Sequence, residues 1–264
     1  MSEHESDGFL DFGMGVDDDG VGKKAKTFKA KDNTAYRVSF CWFSVRKMSD
    51  ETGKPYWDDA AAWDDDGNLV EEAVVRFAGC RRVYVKGVGQ ILYKGQAYQQ
   101  FGKPKDCIAT ILCVWPTDDE GDLDATKFKA GKGWLVQPWI HGDGEKYQNL
   151  KKINKRFPLM SRDVLFSCPE NGGEFQKITF TPEDANLLRK LLASDKPEAR
   201  AIADKIVAES KALAREMNNE MARDLTVDEI REKQSGESSS PKGGGGGSSD
   251  HATKDVDALL DGMV

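Results

Sequence analysis

Between residues 27 and 181 the chain is cut into short runs rich in β-branched and aromatic residues, at 35–43, 74–78, 82–85, 108–115, 133–140, 163–168 and 175–181. Clusters of Gly, Pro, Asn and Asp separate them, so each run reads as a strand and the whole as a small barrel or sandwich. One helical interruption is expected at 145–155, where Tyr147, Leu150 and Ile153 fall on one face. After Thr181 the pattern turns helical. Thr181-Pro182-Glu183-Asp184 reads as an N-cap with a first-turn proline and acids suited to the helix dipole. Leu187, Leu188, Leu191 and Leu192 form an apolar stripe, and Pro197 opens another helix through Ala201, Ile202, Ile206, Ala208, Leu213 and Met217. Thr226, with Asp228 and Glu229, reads as the cap of a third, short helix. The class expected is therefore mainly β with C-terminal helices.

Four segments follow. Residues 1–22 read as a disordered acidic N-terminal segment, in which residues 9–12 are apolar enough to dock on a partner; 23–182 form the core and 183–234 a helical segment. Residues 235–264 are a Gly/Ser tether, uninterrupted glycine at 243–247, ending in an acidic tip.

The net charge of −7 is unevenly spread. Residues 1–22 hold seven acids and no Lys or Arg; 23–190 hold 28 bases against 23 acids; 191–264 hold 10 bases against 15 acids. Two acid-free stretches stand out in the basic middle. From Ala73 to Lys105 the bases are Arg76, Arg81, Arg82, Lys86, Lys94, Lys103 and Lys105, interleaved with Phe77, Tyr84, Tyr93, Tyr98 and Phe101. From Lys146 to Arg162 they are Lys146, Lys151, Lys152, Lys155, Arg156 and Arg162, beside Tyr147 and Phe157. Acids collect instead at 58–59, 64–66 and 118–120, next to turn residues.

Basic residues interleaved with aromatics suit single-stranded DNA, which exposes both phosphates and base faces: the cations attract the backbone while rings stack on bases. The blander reading makes the aromatics core and the bases a solvated rim, with Phe77, Tyr84 and Phe101 the core candidates. The tail adds to the first reading. Asp255, Asp257 and Asp261 alternate with Val256, Leu259, Leu260 and Met263, so a tethered polyanion with apolar anchors can contact partners and compete for a basic groove.

Little supports catalysis. His4 and His251 lie near the ends, leaving His141, which reads as a turn histidine with catalysis the alternative. There is no phosphate loop, nucleophile elbow or His-x-x-x-His pair, and Glu174–Lys177 is one residue too long for a metal-nuclease Glu-x-Lys. The five cysteines have irregular spacing and no Cys-x-x-Cys, which reads as reduced thiols and no zinc cluster. No apolar run approaches the ~20 residues of a membrane span, and the N-terminus lacks a secretory signal, so an intracellular address is expected.

Several segments resemble the single-stranded-DNA-binding (helix-destabilising) proteins of T-even-type phages. Residues 255–261 are similar to that family's Asp-Leu-Asp-Asp-Leu-Leu tip, and 109–116 to its Ala-Asn-Ile-Leu-Val-Val run. Residues 133–140 with 146–154 resemble its strand and lysine-rich helix, and 163–169 its Asp-Val-Thr-Cys-Pro. The resemblance spans about 30–180 and the tail. It implies an OB-fold barrel core and a non-enzymatic protein of DNA replication, recombination and repair, in the cytoplasm of the infected bacterial host. Implied partners are single-stranded DNA, phage replication and recombination proteins through the tail, and self-association on DNA, with no membrane contact and no cofactor. The chain departs from the family at its structural zinc, which has no counterpart here, and at its basic N-terminal arm, which is replaced by an acidic segment; Lys23-Lys24-Ala25-Lys26-Thr27 faintly resembles the arm's Lys/Arg-then-Ser/Thr motif. The aromatic pair before the Ala-Asn-Ile-Leu run is replaced by Cys107-Ile108, while Lys103 stands at a family basic position.

The DNA-contact candidates are Arg76, Arg81, Arg82, Lys86, Tyr93, Lys94, Tyr98, Lys103, Lys105, Trp139, Lys146, Tyr147, Lys151, Lys152, Lys155 and Arg156. The tail candidates are Asp255, Asp257, Leu259, Leu260 and Asp261. The alternatives are a metal-dependent nuclease and a virion or scaffold protein whose tail recruits a partner.

Overall fold

The strand beginning at Thr34 stops after Phe40, and the chain then turns into a second sheet, so one apolar run of sequence serves two sheets in the computed structural model. The structure describes residues 11–12, 25–85, 89–93, 105–118, 122–124, 126–127, 133–142, 144–169, 178–222 and 228. The strands are β1 (Asp11–Phe12), β2 (Ala25–Lys26), β3 (Thr34–Phe40), β4 (Phe43–Met48), β5 (Pro55–Asp58) and β6 (Val74–Val75). They continue with β7 (Ala78–Val85), β8 (Gly89–Tyr93), β9 (Lys105–Val114), β10 (Leu135–Gly142), β11 (Val164–Cys168) and β12 (Thr179–Pro182). The helices are α1 (Glu145–Arg156), α2 (Leu187–Leu192) and α3 (Pro197–Ala222).

A seven-stranded sheet runs in the order β12-β11-β3-β9-β7-β8, with β10 paired to the other side of β9. All its pairings are antiparallel. The molecule is thus mainly β with helices after the strands, as expected. The expected barrel is met in part: among the described residues the sheet stays open, β10 and β12 ending it without pairing to each other. Pro138 sits within β10, which suits a strand with one outer edge, because proline has no N–H to give a neighbour.

Strand β9 explains the architecture. It is buried without interruption from Cys107 to Val114, the continuous apolar run of a strand covered on both faces. Alternation sends Cys107, Ala109, Ile111 and Cys113 to one face, where they join Leu187, Leu188 and Leu191 of α2 and Ala203, Ile206 and Met217 of α3. Leu112 and Val114 point the other way, into a second cluster with Phe40, Trp139, Leu150 of α1, Val164 and Phe166. The helical segment therefore shares a core with the strands. The five cysteines are free and buried.

Two sequence expectations shift. Thr181 and Pro182 end β12, and the first helix of that segment starts at Leu187, capped by Asn186, whose side chain accepts from the Arg189 N–H at 2.9 Å. Pro197 does open α3. The hairpin β4–β5 fell between the predicted runs; it forms a three-stranded sheet in the order β5-β4-β6. Apart from Asp228, the third short helix lies outside the described residues, as do the N-terminal segment other than β1 and the tail.

Among the described residues no helix is long and apolar enough to cross a membrane.

Candidate nucleic-acid interface

Helix α1 carries the densest positive charge. Gly144 begins it in extended conformation, Glu145 occupies the first turn, and Lys155 and Arg156 occupy the last, each sign at the helix end that favours it. Leu150 is buried and Ile153 half-buried against the sheet, while Lys151, Lys152, Lys155 and Arg156 are exposed on the other side. Lys151 Nζ lies 4.6 Å from the Tyr147 ring centre and the Arg156 guanidinium 5.2 Å from that of Phe157. Among the described residues none of these four cations is in an ion pair with a carboxylate.

The two acid-free stretches converge at His141, near the end of β10. Burial holds its imidazole below the ordinary histidine range, and the charges of Lys146 on α1 and Arg82 on β7 push the same way; its Nδ1–H donates to the Gly142 carbonyl at 2.8 Å, which opposes them. Lys146 is itself held low by burial, with Cys168 on β11 opposing. Arg82 faces Lys105 across the β7–β9 pairing. Side chains from β7, β9, β10 and α1 thus form one basic end of the sheet. Next to it, Arg81 Nε donates to Asp106 Oδ1 at 3.2 Å, and with Asp106 77% exposed, water screens that pair.

Two candidates are built into the body of the protein instead. Trp139 is 4% exposed, its ring 5.2 Å from Phe166 and 5.1 Å from His141, so no face is open for a base and it is corrected to a core residue. Arg76 is 13% exposed, 3.7 Å from Asp59, and its guanidinium covers the Trp42 ring at 4.8 Å while donating to Asn218 of α3 at 3.5 Å. It fastens α3 to the strands. Tyr147 is half-buried between Phe77, 5.6 Å away, and Lys151; Phe77 also packs on Phe40 at 5.5 Å, in keeping with its core reading. Lys86, Lys94, Tyr98, Lys103, Phe101 and the tail residues Asp255, Asp257, Leu259, Leu260 and Asp261 lie outside the described residues, as do the side chains of Tyr84 and Tyr93.

Sequence reasoning passed over Arg46, Tyr56 and Trp57 on the β4–β5 hairpin. Both aromatics are exposed. The signal was a tight turn with Gly53 at φ 61°, flanked by residues of alternating character. Among the described residues no group of three or more His, Cys, Asp or Glu side chains is arranged to hold a metal ion, and 170–177, with the Glu174–Lys177 pair, lies outside them. The chain matches no protein-family model, no curated protein and no solved structure.

Proposed function

We propose that the chain is a non-enzymatic single-stranded-DNA-binding protein whose backbone contacts come from α1 and the basic end of β7, β9 and β10. The observation that carries this reading is the convergence of the two acid-free stretches on His141, beside four exposed cations of α1 that have no carboxylate partner among the described residues. In a chain with excess acid overall, such a surface attracts a polyanion to one place.

The strand order supports an OB-type core. Read along β10-β9-β3-β11-β12 with α1 between β10 and β11, the path has the five strands and interposed helix of that fold, and β4–β8 become an insertion between its first two strands. Trp139 of β10 and Phe180 of β12 approach to 6.2 Å, bridging the open side. Helix α3 packs over the outward face of β9 and β10, where OB folds commonly hold their ligand, so the strand path runs along α1 and the sheet end.

The phage setting, with action in replication, recombination and repair in the host cytoplasm, follows from the resemblance of 109–116, 163–169 and 255–261. The tail then serves as partner contact and tethered competitor. A gel shift with single-stranded, duplex and RNA probes over a salt series tests the reading: preference for single strands with a steep salt slope is expected, and equal duplex affinity or a flat slope refutes it.

A further inference from the structure

We infer that Cys80 of β7 and Cys107 of β9 are a paired oxidation site, joined into one intramolecular disulfide by a small aliphatic disulfide that enters beside Gly142. The inference stands apart from the DNA reading.

The register brings the two thiols together. Cys80 stands directly opposite Cys107 in the antiparallel β7–β9 pair, and both belong to the cluster packed against α3. Opposed residues of such a pair have Cα atoms about 4.5–5.5 Å apart, within the roughly 4.4–6.8 Å that a disulfide spans. Among the described strand pairings this is the one rung that holds two cysteines: Cys113 faces Ser39 and Val136, and Cys168 faces Thr34. The Cys107 thiol donates to the Lys105 carbonyl at 3.5 Å, a weak bond that rotation toward Cys80 gives up.

Cys80 is 6% exposed and Cys107 2%, so an oxidant needs a route. On the other side of Cys107 stands Gly142 of β10, where an added Cβ would meet no atom within 4 Å. Opposed residues project to the same face of a sheet, so that open space lies beside the Cys107 side chain. The rung is also close to a strand end, since Asp106, the next residue of β9, is 77% exposed. Burial pushes the Cys107 thiol up and Asp106 adds to it, while Arg82 and Lys105, the next rung outward, pull it back toward the thiolate. Space and cations together mark Cys107 as the sulfur attacked from outside and Cys80 as the one that closes the bond.

The chemistry is thiol–disulfide exchange. The Cys107 thiol loses its proton and the thiolate attacks one sulfur of the oxidant, whose S–S bond breaks; one small thiolate leaves and takes up a proton. Cys107 is then a mixed disulfide. The Cys80 thiol, deprotonated in turn, attacks the Cys107 sulfur, the mixed S–S bond breaks and the second small thiol departs. The two protein thiols lose two electrons and two protons, and the oxidant gains them as two thiols. The product closes the loop 80–107, which stabilises the fold chiefly by constraining the unfolded chain. It also fixes β7 to β9 one rung inside Arg82 and Lys105.

The test incubates the native full-length protein with hydroxyethyl disulfide, quenches with acid, and reads the intact mass and a peptide map. The expected product is a single chain lighter by two hydrogens, with one cross-linked pair of peptides holding Cys80 and Cys107 while Cys41, Cys113 and Cys168 remain thiols. Its melting temperature should exceed that of the reduced protein by several degrees, and a reductant should reverse the shift. Cys80→Ala should stop at a mixed disulfide on Cys107, and Cys107→Ala should take up neither adduct nor cross-link. The wild-type map decides even where a variant is unstable. Thiols that stay reduced, a lasting adduct on Cys107 without a cross-link, a different cysteine pair, or a bond between two chains each overturns the inference. An adduct on Cys80 in the Cys107→Ala protein overturns the entry beside Gly142.

Discussion

Arg37 Nε donates to Asp163 Oδ2 at 2.9 Å across 126 residues of sequence, joining β3 to the residue that precedes β11. Asp163 also accepts from Ser39 and, at 3.3 Å, from the Leu187 N–H at the start of α2, so one fully buried carboxylate holds a strand, a loop and a helix. Asp163→Ala leaves these donors facing an empty buried site and should destabilise the fold by about 3–5 kcal/mol. Urea unfolding measures it; a loss under 1 kcal/mol would show that the carboxylate is dispensable.

The same group gives a pH signature. Burial outweighs the hydrogen bonds of Ser39 and Arg37 and raises the Asp163 carboxyl from 3.8 to about 6. The native state therefore binds this proton more tightly than the unfolded chain, so the contribution is fully present below pH 3.8 and is lost as pH rises through about 6. Asp163→Asn should flatten the slope of stability against pH in that window while the wild type keeps it.

Trp139 shows how far the sequence could be read. A tryptophan followed closely by a lysine-rich stretch is equally consistent with a stacking platform and a core anchor, and the register of β10 against β9 decides: Trp139 stands opposite Thr110 and points into the cluster of Phe166 and Leu150. Strands β5 and β8 fell outside the predicted runs, whereas the strands β3, β9, β10 and β11 and the helix α1 were legible because their periodicity is local. The turn at Cys41–Trp42 that starts a second sheet was not, because the backbone bonds that hold it, Cys41 N–H to Ile111 O and Arg76 N–H to Trp42 O, come from distant residues. Burial of Arg76 was likewise invisible, since Asn218 lies 142 residues away. The basic character of α1 needed no fold at all.

Trp139→Ala should therefore act on stability and spare binding. Loss of a fully enclosed indole costs about 3–5 kcal/mol, and the fraction that remains folded should retain the wild-type affinity for oligo(dT). A binding defect with no loss in melting temperature would return Trp139 to the interface.

His141 reports on the meeting of the two basic stretches. Its folded pKa lies below the ordinary 6.5, so its stabilising contribution is in place above 6.5 and is lost as pH falls through the lower folded value. Lys146→Gln and Arg82→Gln each remove a neighbouring positive charge and should raise the His141 pKa, read as the imidazole proton shift in an NMR titration. A titration unmoved by both substitutions would separate β7 and α1 electrostatically.

The tail of 250–264 carries four acids and, on the competitor reading, lowers affinity by occupying the basic surface when DNA is absent. Removing it should tighten single-strand binding, and the gain should shrink as salt rises, because both contacts are ionic. Equal affinities with and without the tail at low salt would refute competition.

The Lys151→Glu/Lys152→Glu/Lys155→Glu variant tests α1 most directly. All three side chains are exposed and Leu150 is untouched, so the fold should melt at nearly the wild-type temperature. Each lysine that contacts a phosphate releases a counterion, worth about 0.7 in the slope of log affinity against log salt for a single strand. Removing three such contacts should lower the slope by about 2 and weaken binding most strongly at low salt. Binding that falls equally at all salt concentrations, with an unchanged slope, would mean that these lysines do not touch the backbone, and the strand would have to follow another path across the protein.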